Sequence, residues 1–394
     1  MMAGVAGCFG AGASAQPAFQ GLGPLVTSGR LAADADVVIG SLPFGHPVRC
    51  FFVNGESVVE HLALPEGVVA AWPRGISGDG DAALFWTSPP PLLPYRWALI
   101  GGPSGTVSEF IAPKGSTSFQ VSQMDDAGVC YGHAYFEGGE ASLFRWEPGA
   151  EPEALPRPEG FDRVVNAMID GAGGLYGLAQ RKDGGYALCR VEEDGAEVLV
   201  DVPSVYVDRV TPIGPTLVGF RYEGTMRTVY TWTEAGGFED VLSFSSMETM
   251  QEQLWGIAPD ASAIFGIEID LFGMARPLAW ERGVGRTTAE AYLQARGVDL
   301  GGWSDLYIQQ IDADGRRMLA DGLNPEGVRE SAIITLPEPC AADVNRDGMV
   351  DSQDFFTFVT LFFAQDPGAD FNGDASVTSE DFFAFLTAFF AGCA

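Results

Sequence analysis

Short apolar runs bounded by Asp or Gly turns recur from residue 31 to residue 337, with the rhythm of strands rather than helices. In each unit a turn precedes an apolar run that usually ends in Gly. A polar hairpin follows, and a second run ends in an aromatic or aliphatic residue. Residues 36–40 lead to 49–52, 81–86 to 95–97, 129–132 to 143–146, 175–177 to 188–191, 217–219 to 229–232, 264–266 to 277–280, and 318–322 to 333–336. The first runs end at 40, 86, 132, 177, 219, 266 and 322, at intervals of 46, 46, 45, 42, 47 and 56 residues. About 40–50 residues make one four-stranded blade. The spacing therefore predicts an all-β, seven-bladed β-propeller over 31–337, with a pair of β-sandwiches as the structural alternative. Wedge-shaped blades bury their faces on one another, so the recurring Trp and Phe belong in the seams between blades rather than in a ligand cage.

The pattern changes after residue 340. Phe355, Phe358, Val359 and Phe362 fall at i, i+3, i+4 and i+7, and Phe382, Phe385, Leu386 and Phe389 repeat them 27 residues later. Both stripes predict helices with one apolar face. A second set, Phe356 and Phe363 with Phe383 and Phe390, lies off that face. Either it docks on a partner or on the body of this chain, or it packs into the same small core. Within the propeller region one short helix is expected over 289–296, opened by a capping box of Thr287 and Glu290 and stopped by Gly297.

Each C-terminal helix is preceded by a loop of oxygen-bearing residues. Asp343, Asn345, Asp347, Asp351 and Asp354 stand at the first, third, fifth, ninth and last positions of a twelve-residue stretch, with Gly348 sixth. This is the calcium-loop spacing, because Ca²⁺ takes six to eight hard oxygens and alternate residues of a tight loop point inward. The carbonyl of Met349 supplies the seventh-position ligand. A second loop carries Asp370, Asn372, Asp374, Ser376, Thr378 and Asp381 at the same offset of 27, with Ala375 in place of the Gly and Thr378 in place of the ninth-position Asp. Positive φ costs Ala more than Gly, so the second of two expected calcium ions is the more weakly held. The alternative is a pair of Asx-rich turns without metal.

A loop followed by one helix, twice, with Asp at the last loop position and two prolines just before the first loop, resembles the type I dockerin. Cys340 at the start and Gly392-Cys393-Ala394 at the end give it the look of the GC-type dockerin of secreted bacterial proteins. The resemblance covers 340–394. It implies calcium-dependent folding, extracellular or cell-surface assembly through a cohesin-like or other anchoring protein, and the company of polysaccharide-degrading enzymes. In that family the tenth and eleventh loop positions contribute to partner choice; here they are Ser352-Gln353 and Ser379-Glu380 rather than Ser-Thr. The ends of paired loop–helix units lie close together, so Cys340 and Cys393 are expected to form a disulfide clasp in an exported chain, or to remain two thiols in a reducing compartment.

The body carries a resemblance of its own. The succession of the short helix, Gly297-Val298-Asp299-Leu300, Trp303, residues 311–315 and Asn324-Pro325-Glu326-Gly327 resembles the end of HAF-type extracellular repeat proteins. The turns at 257–260 and 76–80 look like that repeat's turn. This family implies an extracellular β-propeller and assigns no chemistry.

Composition sharpens the compartment. Residues 1–29 hold no charge, and 1–15 is small and apolar with an A-x-A pattern at Ala13-Ser14-Ala15, which reads as a signal peptide without the usual basic start. Cys8 in Val5-Ala6-Gly7-Cys8 offers a lipid anchor as the lesser alternative. With 53 acidic and 22 basic residues the formal net charge is −31, which disfavours nucleic acid and acidic lipid surfaces. Residues 341–394 hold nine acids and one arginine, and seven of those acids are proposed calcium ligands. No apolar run reaches the roughly 18 residues of a membrane span.

Catalytic motifs are scarce. G-x-S-x-G, HExxH, Walker and C-x-x-C patterns do not occur. Ser77-Gly78-Asp79-Gly80-Asp81 and the Asp312–Gly315 stretch are expected to be Asx-bonded turns, and Cys50, Cys130 and Cys189 buried thiols. The leading reading is a secreted, non-catalytic propeller assembled through its calcium module, with a possible glycan ligand. The alternative is a polysaccharide-active glycoside hydrolase or lyase with paired carboxylates in the propeller funnel.

Overall fold

The computed structural model describes residues 19–391 apart from 23–26, 33–36, 43–45, 54–55, 65–67, 69, 78, 89–95, 102–105, 126, 148–149, 170–172, 203–204, 212–215, 224, 234–235, 246–248, 313–314, 338–340, 345–349 and 375. The proposed leader, with Cys8, lies outside the described residues.

The described residues form seven four-stranded antiparallel blades in sequence order, with blades 3 and 4 joined into one eight-stranded sheet by a single parallel pair, Ala141 with Arg163. Blade 1 comprises Thr27–Leu31, Val37–Leu42, His46–Val53 and Glu56–His61; blade 2 Ala70–Ile76, Ala82–Ser88, Arg96–Gly101 and Thr106–Glu109. Blade 3 comprises Ser116–Met124, Cys130–Phe136, Ala141–Trp146 and Glu153–Ala154; blade 4 Phe161–Ile169, Leu175–Arg181, Tyr186–Glu192 and Gly195–Val202. Blade 5 comprises Val205–Thr211, Thr216–Glu223, Met226–Thr233 and Gly237–Ser245; blade 6 Thr249–Ile257, Ala263–Asp270, Ala275–Glu281 and Gly285–Thr287. Blade 7 takes Ser304–Ile311, Arg317–Leu323 and Arg329–Thr335 from the end of the domain and its outer strand, Phe19–Gly21, from the beginning. That closing strand lies before the expected start at 31. Three residues are too short to show a strand period, and the pairing partner is more than 300 residues away in sequence. Phe19 stacks on Trp303, with ring centroids 5.3 Å apart, and Leu22 is buried with Leu31, Val38 and Ile333.

The first strands of blades 1 and 2, 2 and 3, 3 and 4, 4 and 5, 6 and 7, and 7 and 1 pack on each other, so these strands line the axis of the ring. Apolar clusters fill the seams as predicted. Phe85 joins Val37 and Ile39 between blades 1 and 2, Trp146 joins Leu84 between 2 and 3, Trp232 joins Leu178 between 4 and 5, and Trp280 joins Val218 between 5 and 6. The seam between blades 7 and 1 holds Leu319 and Ile333 against Leu31, Val38 and Cys50.

The recurring Gly of the sequence pattern has a steric cause. Every axial strand slips its register against the second strand of its blade. In blades 3, 5 and 6 the slip begins at Val121, Val207 and Leu254, opposite Gly132, Gly219 and Gly266. A Cβ at Gly132 would lie 2.0 Å from the carbonyl oxygen of Gln120, and one at Gly266 would lie 2.0 Å from that of Gln253. The bulge pushes backbone into the space a side chain would need.

The short helix runs Ala289–Gln294 and ends as expected, with Gly297 at φ 75°. Its cap differs from the prediction. Thr288, not Thr287, accepts the Ala291 N–H at 3.1 Å, and Glu290 turns away to accept the Leu306 N–H of blade 7 at 2.9 Å. The tertiary contact outcompetes the local capping box.

After the propeller come two helices, Ser352–Phe363 and Ser379–Ala391, around a core of their own centred on Phe358, Phe385 and Ala369. Among the described residues no helix is long and apolar enough to cross a membrane.

Candidate functional site

The two loop–helix units match each other in detail. Asp354 Oδ2 accepts the Asp351 N–H at 2.9 Å, and at the equivalent place Asp381 Oδ2 accepts the Thr378 N–H at 2.7 Å. Asp351 caps the Gln353 N–H at 2.7 Å, as Thr378 caps that of Glu380 at 3.2 Å. The Thr360 hydroxyl donates to the Phe356 carbonyl and the Thr387 hydroxyl to the Phe383 carbonyl, both at 2.8 Å. Phe358 and Phe385 are fully buried and stack across the unit boundary at 4.0 Å with planes 9° apart.

Within the second loop the oxygens grip the chain in a run of Asx turns. Asp370 Oδ1 accepts the N–H groups of Gly373 and Asp374 at 2.9 and 3.1 Å, Asn372 Oδ1 that of Asp374 at 2.9 Å, and Asp374 Oδ1 that of Ser376 at 2.9 Å. Asp381 ties the two ends of the loop together. Its Oδ1 accepts the N–H groups of Phe371 and Asn372 at 2.9 and 3.1 Å, and its Oδ2 takes Thr378. The Thr378 N–H, with these further donors, holds the Asp381 carboxyl below the ordinary carboxylate range.

Among the described residues no three His, Cys, Asp or Glu side chains converge on one metal-sized centre. Asp370, Asp374 and Asp381 each accept from backbone donors. The donor set suits a hard cation: every proposed ligand offers oxygen. In the first loop Asp343, Asp351 and Asp354 are described, whereas Asn345, Asp347 and Met349 lie outside the described residues, as do Cys340 and Cys393.

The second Phe set lies outside the core. Phe356 and Phe383 are each 66% exposed, and Phe363 and Phe390 each 80%. Ser352, Gln353, Ser379 and Glu380 are exposed as well. Seen against the two arrangements open from the sequence, these four rings do not share the small core.

In the propeller the two suspected turns are turns. Asp79 accepts from the Ser77 hydroxyl at 2.6 Å and the Asp81 N–H at 2.9 Å. Asp312 Oδ1 accepts the N–H groups of Arg316 and Arg317 at 2.9 and 3.0 Å, and its Oδ2 takes Arg317 Nε at 2.9 Å. Cys50, Cys130 and Cys189 are buried free thiols whose pKa burial pushes up, to about 11 for Cys50 and about 12 for Cys189. His133 is also buried, and its imidazolium is disfavoured there.

One polar group on the axial side had no signature in the sequence. Asp305 stands in the register slip between Ser304 and Tyr307, at φ 52°. It pairs with Arg329, whose guanidinium lies over the Tyr307 ring at 5.2 Å. Trp255, in the register slip of blade 6, faces Tyr307 with centroids 6.4 Å apart at 45°. On the same blade the Ser331 hydroxyl and Gln309 Nε2 donate to Asp321, whose carboxyl burial raises. Two bulges and a strand-to-strand register bring these residues together, and neither leaves a spacing motif.

No protein-family model matches the chain, and no curated protein does. Among solved structures it is similar to a prolyl endopeptidase (12% identity, TM-score 0.53), over 79% of this chain and 50% of that one. It is also similar to TolB from Acinetobacter baumannii (15% identity, TM-score 0.40), over 54% of this chain and 53% of that one. The β-propeller domain of Myceliophteria_thermophila Cps50 (Swd1) matches at 13% identity and TM-score 0.45, over 79% of this chain and 97% of the domain. The chain thus spans about half the length of the first two. At such identities the likeness speaks to fold alone: this is an all-β chain of propeller-like architecture.

Proposed function

We propose that this chain is a secreted, non-catalytic β-propeller protein that assembles with a cohesin-like or other cell-surface partner through a C-terminal module folded around two calcium ions. The observation that carries the reading is the internal repeat at an offset of 27, which extends from loop oxygens to caps, stacked core rings and matched exposed rings. Calcium bound there would neutralise the loop carboxylates and cross-link each loop. The oxygens of Asp343, Asp351 and Asp354, with Asn345, Asp347 and Met349, would hold one ion. Those of Asp370, Asn372, Asp374, Ser376, Thr378 and Asp381 would hold the other. A disulfide between Cys340 and Cys393 would clasp the ends. The exposed rings of Phe356, Phe363, Phe383 and Phe390, beside Ser352, Gln353, Ser379 and Glu380, form the partner face, since aromatic groups with few charges typify interface cores.

Calcium titration of the full chain by calorimetry tests this. Two binding events are expected, one lost in Asp343→Ala and the other in Asp370→Ala. No heat at millimolar calcium would overturn the reading.

A further inference from the structure

The geometry points to a binding site for a neutral pyranose ring on the axial side of blades 6 and 7, formed by Trp255, Tyr307, Asp305 and Arg329. It is independent of the calcium module.

Both aromatic residues sit at or beside register slips of neighbouring axial strands, and a bulge re-aims side chains at the cost of ladder pairing. Trp255 lies within the slip between Leu254 and Ile257, and Tyr307 is the first residue paired after the slip that contains Asp305. Asp305 adopts a left-handed φ of 52° that most side chains avoid, and such conformations gather at ligand sites. Trp255 and Tyr307 are both half-buried, so neither ring is consumed as core. Their 45° inclination at 6.4 Å makes an open corner of two apolar plates rather than a closed stack.

The polar rim of that corner selects the ligand. Arg329 carries five N–H donors in a fork and Asp305 four acceptor positions, more than their pairing with each other uses. Their side chains remain 47% and 39% exposed. A fork of donors beside a carboxylate matches adjacent hydroxyl groups, which donate and accept in turn. Charge excludes the other ring-shaped ligands. Arg329 is neutralised by Asp305 in a chain of net charge −31, which disfavours uronates and nucleotides. A cation is disfavoured too, because the Arg329 guanidinium at the rim of the corner would repel it. What remains is an uncharged ring with an apolar C–H face and a hydroxylated edge: a neutral sugar, read by stacking and paired hydrogen bonds.

Calorimetry on the full calcium-loaded chain with cellohexaose, xylohexaose and mannohexaose, and with hexagalacturonate as the acidic comparison, tests the site. Saturable binding of at least one neutral hexasaccharide is expected. Trp255→Ala and Tyr307→Ala should each weaken it about tenfold or more, the scale of one lost stacking partner. Arg329→Ala, at an exposed side chain where folding is not at stake, should weaken it several-fold. Its melting curve should overlay that of the unchanged protein. Absence of binding by all three neutral sugars would overturn the proposal. So would tighter binding of hexagalacturonate, or undiminished binding by Arg329→Ala. Loss of calcium binding in the loop variants with sugar binding intact would strike only the assembly reading.

Discussion

Gln310 holds Leu31 by both of its main-chain polar groups: Gln310 Oε1 accepts the Leu31 N–H at 2.9 Å and Gln310 Nε2 donates to the Leu31 carbonyl at 2.9 Å. One side-chain amide thereby does what a neighbouring strand would do, and it joins the axial strand of blade 7 to that of blade 1 across 279 residues of sequence. The ring is closed twice, by this amide at the axis and by Phe19–Gly21 in the outer layer. Gln123 occupies the corresponding place after the slip of blade 3, and its Oε1 accepts the N–H of Ile169 in blade 4 at 2.6 Å.

Gln310→Ala leaves a part-buried donor and a part-buried acceptor without partners, so it should cost about 2–3 kcal/mol of unfolding free energy. Gln123→Ala orphans a single N–H and should cost about half as much. Denaturant titrations of the two variants give the comparison. Equal losses would mean that the amide of Gln310 acts through one bond only.

Gly266→Ala is expected to be among the most damaging small substitutions in the blades. The added methyl meets the Gln253 carbonyl at 2.0 Å, and both groups belong to backbone that the sheet ladder fixes. A loss of about 3 kcal/mol or more, or failure to fold, follows. Gly184→Ala is the control for glycine itself, since its φ is 91° but nothing crowds it. There only the cost of the left-handed backbone remains, about 1–2 kcal/mol. Melting curves rank the two.

These glycines explain why the ring was legible before the structure. In six of the seven units the anchor Gly marks the bulge of the strand beside it, the second unit ending in Trp86 instead, so the sequence reports blade number and phase through a steric requirement. Seam aromatics such as Trp146 and Trp280 add the apolar half of the signal. The closing strand was not legible because Phe19–Gly21 is too short to carry a period, and the Gln310 clasp because a lone Gln has no pattern. The two loop–helix units read clearly in sequence because their loop oxygens and helix rings recur at one fixed offset. The Trp255 and Tyr307 corner does not, because two independent bulges place it.

Acid should weaken the propeller through His133. Its side chain is 3% exposed, its Nδ1 makes no hydrogen bond among the described residues, and burial lowers its pKa from 6.5 to about 4. The unfolded chain then takes up a proton at higher pH than the folded one, so stability rises with pH between those values. The contribution is complete above about pH 6.5 and is lost progressively down to about pH 4, amounting to about 3 kcal/mol at one pH unit per 1.4 kcal/mol. His133→Phe, which keeps the edge-on neighbour Tyr135 covered, should flatten that part of a stability–pH curve. An unchanged slope would place the titration elsewhere.

Gln365 ends the first C-terminal helix in a left-handed conformation, φ 55°. The Asp366 N–H returns to the Leu361 carbonyl at 3.0 Å and the Gln365 N–H to that of Phe362 at 3.1 Å, the paired bonds of a Schellman turn. Gly is the residue this position favours, so Gln365→Gly should stabilise the helix by about 0.5–1 kcal/mol despite the more flexible unfolded chain. Slower amide exchange over Ser352–Phe363 is the readout; faster exchange would show that the side-chain bond from Gln365 Nε2 to the Phe362 carbonyl matters more.

The exposed and buried rings of the helix pair should respond oppositely to the same change. Phe358 and Phe385 are shielded on every side and stack on each other, so Phe358→Ala opens a cavity and removes the stack, at a cost of about 3–5 kcal/mol. Phe356 and Phe383 cover little, and replacing each by Ser should alter stability by no more than about 0.5 kcal/mol. Helical circular dichroism of the full chain during denaturation, with and without chelator, separates the cases. If Phe356→Ser and Phe383→Ser melt the helices as Phe358→Ala does, the outer rings belong to the fold. If the helices stay intact while binding to a surface-anchored receptor is lost, the same residues are the partner face, and the repeat at an offset of 27 has duplicated a docking surface together with its core.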